Sequence, residues 1–162
     1  MYDVIGDVHG QGAKLRALLW RLGYGKVNGH WRRPESRQAV FVGDLIDRGP
    51  GQLETIRIVR EMVDAGTAQA VLGNHEFNAI AWFMPDPESN GEHLRRRTPK
   101  NLGQHEAFLG ETGHDSELHA EVIRWFLTLP LWLELPGLRV IHACSDPRQL
   151  KALGGSLLPR RK

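Results

Sequence analysis

Three short apolar runs in the first half of the chain end in the same way. They are Tyr2–Asp7, Gln38–Asp44 and Ala68–Asn74, and they close on Gly-Asp, Gly-Asp and Gly-Asn. Each run is rich in β-branched or aromatic residues and stops at a glycine, which is typical of a buried β-strand. We therefore predict three strands, each followed by a sharp corner that carries an oxygen-bearing side chain.

Helical periodicity separates these strands. Apolar residues in Gly12–Leu22 recur at one-face spacing, and the same spacing recurs in Pro50–Ala65, with Gly66 as the stop. Strand, helix, strand, helix, strand is the order of a parallel sheet covered by helices. Ligands of such sheets bind beyond the carboxyl ends of the strands. The three corners should therefore meet at one edge of one sheet.

The second half of the chain predicts further helices and a β-hairpin. A helix over Asn74–Phe83 should end before the Pro85-Asp86-Pro87 break, and residues 85–100 form a long polar loop. The remaining predicted elements are helices over Asn101–Gly110 and Ser116–Leu127, and strands over Leu131–Leu135 and Leu138–Ala143. The predicted class is α/β, as a single domain over residues 1–162, with residues 148–162 a weakly patterned tail.

Composition narrows the function classes. With 162 residues, 41% hydrophobic and 25% charged, the chain resembles one average globular domain. No apolar run is long enough to span a membrane, and the N-terminus lacks a signal pattern. The single cysteine, Cys144, excludes an internal disulfide, so we expect a cytoplasmic protein with no membrane partner. A net charge of +2 argues against a dedicated nucleic-acid binder.

Sixteen of the 21 basic residues are arginines, and several of these lie next to one another in the sequence. The clusters are Arg32-Arg33, Arg95–Arg97 and Arg160–Lys162. Taken alone, each is more simply a solvated surface. Because a guanidinium can give two hydrogen bonds at once, the Arg95–Arg97 loop could instead hold extra phosphates.

The corners together carry metal-binding chemistry, although each alone would be an ordinary turn or helix cap. Asp7 and His9 can hold one divalent cation, Asn74 and His142 another, and Asp44 both. Two such ions clamp a phosphate and lower the pKa of a bridging water, which supplies hydroxide for in-line attack.

Three further residues complete a hydrolytic site. Arg48, four residues after Asp44, can bind a phosphate oxygen bidentately. His75 follows Asn74 directly, so the two side chains point differently. We predict His75 as the general acid for the departing oxygen, oriented by Asp47.

The motifs GDVHG, GDLIDRG and GNHE, followed by a strand-end histidine, resemble the calcineurin-like metallophosphoesterases over residues 2 to about 147. The chain looks most like the phosphoprotein-phosphatase branch, which includes bacterial serine/threonine phosphatases and symmetrical diadenosine-tetraphosphatases. The resemblance implies a sandwich of two β-sheets flanked by helices. The carboxylate, imidazole and amide ligands suit two divalent ions of manganese, iron or zinc, with manganese as the first candidate. The implied metal ligands are Asp7, His9, Asp44, Asn74 and His142. Arg48 and Asn74 would contact phosphate, and Asp47 with His75 would form the acid dyad.

Two features depart from the family pattern. The family usually has Gly-Gly after the fourth-motif histidine, where this chain has Ala143-Cys144, and no histidine follows His142 to supply the family's later metal ligand. The chain therefore resembles the N-terminal part of a longer enzyme, with a weak second metal site and an incomplete second sheet. We expect an uncovered apolar face, with Leu131–Leu133 and Leu157-Leu158 as candidates, and a homo-oligomer formed through it.

The other residues of interest are predicted to be structural. We expect surface positions for the five remaining histidines; the alternative for His93 and His105, which flank the Arg95–Arg97 loop, is that one of them reaches the site. Those histidines are His30, His93, His105, His114 and His119. Cys144 is expected to be a buried thiol, and Trp125, Phe126 and Trp132 to be core.

The leading hypothesis is a metallophosphoesterase that cleaves phosphate monoesters or phosphoanhydrides, with phosphoserine or phosphothreonine proteins and diadenosine polyphosphates as substrate classes. The alternative is a module that binds metal and phosphate without turnover. A nucleic-acid binder acting through the arginine clusters is the least favoured hypothesis.

Overall fold

The computed structural model describes residues 1–143 together with Asp146 and Arg148. The predictions for Cys144, Leu157-Leu158 and Arg160–Lys162, and for the tail apart from Arg148, lie outside these described residues. Within them the elements are β1 (Tyr2–Ile5), α1 (Gly12–Arg21), β2 (Gly25–Val27), β3 (His30–Arg32), β4 (Gln38–Phe41), α2 (Gln52–Asp64), β5 (Ala68–Ala70), α3 (Asn74–Phe83), α4 (Pro99–Thr112), α5 (Glu117–Phe126), β6 (Trp132–Leu135) and β7 (Leu138–Ile141).

A three-stranded parallel sheet with the order β1-β4-β5 forms the centre of the fold. Strand β4 pairs on both sides, with Val4 opposite Val40 and Ala39 opposite Ala68. This confirms the predicted parallel sheet. Because the strands run in one direction, the corners that follow them lie at one edge.

The two faces of this sheet are covered differently. The helices bury a large core that includes Leu19, Val59 and Met62. On the opposite face Val40, Val71 and Val140 form a second cluster, which the antiparallel β6–β7 hairpin covers. The result is two β layers, with the helices over the outer face of the central sheet, and it agrees with the predicted α/β class.

The expected apolar exposure at Leu131–Leu133 is wrong. Trp132 is buried, while Leu131 packs on the helical core and Leu133 on the smaller cluster. On the central sheet, Val4 is exposed, at 56%, next to its register partner Val40 in β4.

The β2–β3 hairpin was not predicted. Its turn is Asn28-Gly29, with φ of +51° and +81°, the left-handed pair that a tight hairpin turn requires. Trp31 of β3 is buried, and its indole Nε1 donates to Glu61 of α2 at 3.0 Å. The Asn-Gly pair was the available signal for this hairpin.

Among the described residues, none of the helices has the length and apolar character needed to cross a membrane.

Candidate metal centre and acid dyad

The predicted metal ligands converge at the carboxyl edge of the sheet. Asp7 and His9 follow β1, Asp44 follows β4, Asn74 opens α3 after β5, and His142 follows β7. Two groups have ligand atoms that all lie within 4.8 Å of one another. The groups are His9–Asp44–His75 and Asp7–Asp44–His142, so Asp44 belongs to both, as expected of a shared ligand.

The environment of His9 fits a cation. Its Nδ1 lies 2.9 Å from the carbonyl oxygen of Ile46, which can only accept, so Nδ1 carries the hydrogen. The buried Nε2 therefore presents a lone pair, and it has no hydrogen-bond partner among the described residues. It lies 3.8 Å from both Asp7 Oδ2 and Asp44 Oδ2. These separations are too long for hydrogen bonds and leave space for an ion between the three atoms.

His142 repeats the arrangement on the other side of Asp44. Its Nδ1 lies 2.8 Å from the Val42 carbonyl oxygen and donates to it. The Nε2 lone pair then faces two acceptors, Asn74 Oδ1 at 2.9 Å and Asp44 Oδ1 at 3.3 Å. The lone pairs of these three atoms repel one another unless a positive charge lies between them, so they also fit a metal ion.

The grouping differs in detail from the sequence expectation, which gave Asp7 and His9 to one ion, Asn74 and His142 to the other, and Asp44 to both. Asp7 joins the group of His142, while remaining 3.8 Å from His9 Nε2. His75 lies within the His9 group by distance, with its Nε2 3.9 Å from Asp44 Oδ2. Its other ring nitrogen is bound to Asp47.

The corner after β4 has an unusual backbone. Asp44, Asp47 and Arg48 have φ of +53°, +70° and +68°, left-handed values that are uncommon for residues with a side chain. Fully buried Gln52 fixes one part of this corner: its Oε1 accepts from the Asp47 N–H at 2.8 Å, and its Nε2 donates to the Gly49 carbonyl. The strained conformation is thus held by bonds from α2.

Glu76 fixes the other part of the corner, a role that the sequence did not indicate although the residue closes the GNHE motif. Its buried carboxylate accepts four backbone N–H bonds at 2.8–3.2 Å, from Asp44, Leu45, Ile46 and Gly73. Burial raises the pKa of Glu76, and these N–H donors offset part of that effect. One carboxylate therefore ties the loop after β4 to the loop after β5.

His75 and Asp47 form a close pair, with 2.6 Å between His75 Nδ1 and Asp47 Oδ2. The hydrogen bond with Asp47 raises the pKa of His75. Burial raises the pKa of Asp47, but the bonds from His105 and His75 outweigh it, and the net pKa is lowered. Both shifts favour a protonated imidazole beside an ionised carboxylate, which is the state of a general acid.

Two histidines expected at the surface are buried. His105 is 4% exposed, and its Nδ1 lies 2.8 Å from Asp47 Oδ1. His119 is fully buried, edge-on to Phe83 and Phe108, and burial lowers its pKa to about 4. The surface expectation failed because α4 and α5 bury the faces that carry these residues. The spacing of His105 to Phe108 and Leu109 was the available signal. His30 and His114 are exposed, and His93 is half-buried.

A cleft of about 530 Å³ opens beside the dyad. Arg48 lies on its wall with Asn74 and His75, and Arg95 joins them from the loop before α4. The predicted phosphate contacts Arg48 and Asn74 are both exposed there.

Comparison with known proteins gives the family. The profile of the calcineurin-like phosphoesterases matches residues 2–150. The asymmetrical bis(5'-nucleosyl)-tetraphosphatase PrpE of Bacillus velezensis is 42% identical over 151 residues, which covers 88% of this chain and 55% of that protein. PrpE of Oceanobacillus iheyensis is 32% identical over 143 residues, covering 87% and 54%. The chain thus spans about half the length of these curated relatives.

Solved structures share the fold. The cold-active protein-tyrosine phosphatase of a psychrophile Shewanella species is 19% identical with a TM-score of 0.63, covering 94% of this chain and 44% of that one. The metallophosphoesterase from Sphaerobacter thermophilus is also 19% identical, with a TM-score of 0.52 and coverage of 97% and 55%. With the profile match over most of its length and the strand-end ligands at one edge of the sheet, the chain belongs to the calcineurin-like phosphoesterase family.

Proposed function

We propose that this chain carries the active site of a metal-dependent hydrolase of phosphoanhydrides, with a nucleoside polyphosphate such as diadenosine tetraphosphate as substrate. The observation that carries the proposal is the arrangement around Asp44: two histidine lone pairs face its carboxylate, and the His75–Asp47 pair lies beside it. The names of the two PrpE relatives favour a nucleotide polyphosphate over a phosphoprotein.

In this proposal Asp7, His9, Asp44, Asn74 and His142 hold two divalent ions, with manganese as the first candidate. When bound, the ions polarise the phosphoryl group and activate water. Their ligands come from four separate corners of the fold, so the site forms only when the sheet and the β6–β7 hairpin are both in place.

The remaining site residues bind phosphate and move a proton. Arg48 and the Asn74 amide contact phosphoryl oxygens. Protonated His75 gives its proton to the departing oxygen, and Asp47 keeps the imidazole charged and oriented. A phosphate leaving group of an anhydride needs this proton less than an alcohol does, so loss of His75 should affect monoesters more than anhydrides.

The test is manganese-dependent hydrolysis of diadenosine tetraphosphate and of an alkyl phosphate, β-glycerophosphate, by the purified chain. His75→Asn is compared with His114→Asn, whose parent residue is exposed. We expect turnover that requires the metal and, for the alkyl ester, falls by about 100-fold or more in His75→Asn, because an alkoxide is a poor leaving group without a proton. Metal binding without turnover by folded protein would instead favour the module that binds metal and phosphate without catalysis. Equal activity in both variants would contradict the role of His75.

A further inference from the structure

Arg95 lies in the wall of the cleft that contains Arg48 and His75. The loop that carries it is anchored to α3: the Arg95 backbone N–H donates to Ala81 at 2.8 Å, and that of Leu94 to Met84 at 3.0 Å. The Arg95 side chain is half-buried between α3 and α4. A guanidinium is therefore fixed beside the proposed reaction centre, although nothing in the proposed hydrolysis uses it.

The partners of this guanidinium are all neutral. It donates to the side-chain oxygens of Asn78 at 2.6 Å, Gln104 at 2.8 Å and Asn101 at 3.3 Å. These bonds use three of the five N–H groups of a guanidinium and leave its positive charge uncompensated. Because a partly desolvated cation is costly without an anion, the arrangement is one that an anionic ligand would stabilise.

Arg97, two residues later, shows what a structural arginine of the same loop looks like. It donates to both carboxylate oxygens of Asp115, at 2.6 and 2.7 Å, and lies over the Trp82 ring. Its charge is neutralised, and it ties its loop to the segment between α4 and α5. The contrast separates two roles: Arg97 holds the fold, whereas Arg95 keeps its charge for the cleft.

The acidic residues of the cleft do not neutralise Arg95. Both oxygens of Asp47 are occupied, by His75 and His105. Glu106 also lines the cleft, but it is exposed and forms no ion pair with Arg95 among the described residues.

We propose that Arg95 forms a second phosphate subsite, which binds the part of a phosphoanhydride chain that extends beyond the phosphoryl group at Arg48. This inference rests on the proposed function and deepens it, because it makes Arg95 the residue that distinguishes a chain of phosphates from a single phosphate ester. Asn78 and Gln104 hold the guanidinium in place for that contact.

The experiment compares Arg95→Gln with Arg96→Gln, since Arg96 is exposed and absent from the cleft wall. Binding of inorganic tripolyphosphate and of orthophosphate is measured by calorimetry in excess manganese. We expect Arg95→Gln to weaken tripolyphosphate binding by about 10-fold or more, the usual scale of one charge-assisted contact, and to leave orthophosphate within twofold. Arg96→Gln should change neither, and Arg95→Lys should be intermediate.

The subsite would be overturned if the parent chain bound tripolyphosphate no more tightly than orthophosphate. It would also be overturned if Arg95→Gln left the affinity for tripolyphosphate unchanged, or lowered the affinities for both ligands equally. Thermal unfolding of each variant separates a loss of folding from a loss of binding, and Arg95→Lys serves if the glutamine variant unfolds. The binding assay needs no turnover, so an inactive chain that still prefers tripolyphosphate through Arg95 would contradict the proposed hydrolysis and leave the subsite standing. Where turnover is present, kcat/KM should fall for diadenosine tetraphosphate only.

Discussion

The imidazole Nδ1 of His105 lies 2.8 Å from Oδ1 of Asp47, on the carboxylate oxygen opposite the one that His75 contacts. The Nε2 of His105 is buried without a hydrogen-bond partner among the described residues. Because the Asp47 carboxylate can only accept, Nδ1 of His105 carries the hydrogen of this bond. Two imidazoles hold one carboxylate, and of the two only His75 belongs to a group of proposed metal ligands.

His105 should act on catalysis through Asp47 and His75. We expect His105→Phe to lower kcat about 10-fold with KM and metal content unchanged, because Asp47 loses the bond that orients it. His105→Asn, whose amide can replace Nδ1, should restore most of the activity. In a His75→Asn background the phenylalanine substitution should have no further effect on kcat. A second loss of equal size there would show that His105 acts on stability alone.

Asp44 should be required for both metal ions, because its carboxylate belongs to both ligand groups. We expect Asp44→Asn to remove both manganese ions, measured by equilibrium dialysis and elemental analysis, whereas Asp7→Asn should weaken mainly the site of His142. Chelation should lower the unfolding temperature of the parent chain and leave that of Asp44→Asn unchanged, since ligand binding stabilises only a folded site. One tightly held ion in Asp44→Asn would contradict the shared role.

Gly73 should tolerate no side chain. A Cβ there would lie 2.2 Å from the backbone N of Asp44 and 2.4 Å from its Oδ1, so the corner after β4 would have to move. We expect Gly73→Ala to lower the free energy of unfolding by about 2–4 kcal/mol. Gly110 in α4 is the matched control: its Cβ would meet nothing within 4 Å, and Gly110→Ala should raise stability by about 0.5–1 kcal/mol. Both values come from urea unfolding, and similar losses in the two variants would refute the steric argument.

His119 should make the fold sensitive to acid. Burial lowers its pKa from 6.5 in the unfolded chain to about 4 in the folded one. Below pH 6.5 the unfolded chain therefore binds the extra proton, and stability falls as the pH drops towards 4. At pH 5 this loss should reach about 2 kcal/mol relative to pH 7.5.

His119→Asn removes the titrating group but keeps an acceptor for the Asp115 N–H, which contacts Nδ1 in the parent at 3.3 Å. Urea unfolding at pH 7.5 and pH 5 should show a smaller pH effect in this variant than in the parent. His114→Asn, at an exposed position, should retain the full effect. If His119→Asn lost as much stability between pH 7.5 and pH 5 as the parent, the acid sensitivity would come from groups other than His119.

The repeating corners made the site predictable from the sequence. Parallel strands must end at one edge, so Asp7, Asp44 and Asn74 had to meet once the helices between them were recognised. Helix α3 spans Asn74–Phe83 as predicted, because Gly73 and the Pro85-Asp86-Pro87 break mark its ends. The single-domain organisation, the site roles, the oligomeric state and the cellular location remain predictions.

The packing between helices was harder to predict from the sequence. His105 and His119 lie on the faces of α4 and α5 that pack against other helices. Hydrophobic patterning does not identify a polar residue on such a face as buried. The left-handed backbone at Asp44 and Asp47 could not be predicted from local conformational preferences either. It depends on the hydrogen bonds by which Gln52 and Glu76 hold the corner.

The carboxylate of Glu76 also has a dynamic consequence. Because it accepts amide hydrogens from the corners after β4 and β5, neither corner can open without breaking bonds to the other. The amides of Asp44, Leu45, Ile46 and Gly73 should therefore exchange with deuterium as one cooperative unit, with a common opening free energy. The two strand ends that carry Asp44 and Asn74 should therefore open and close together rather than one at a time.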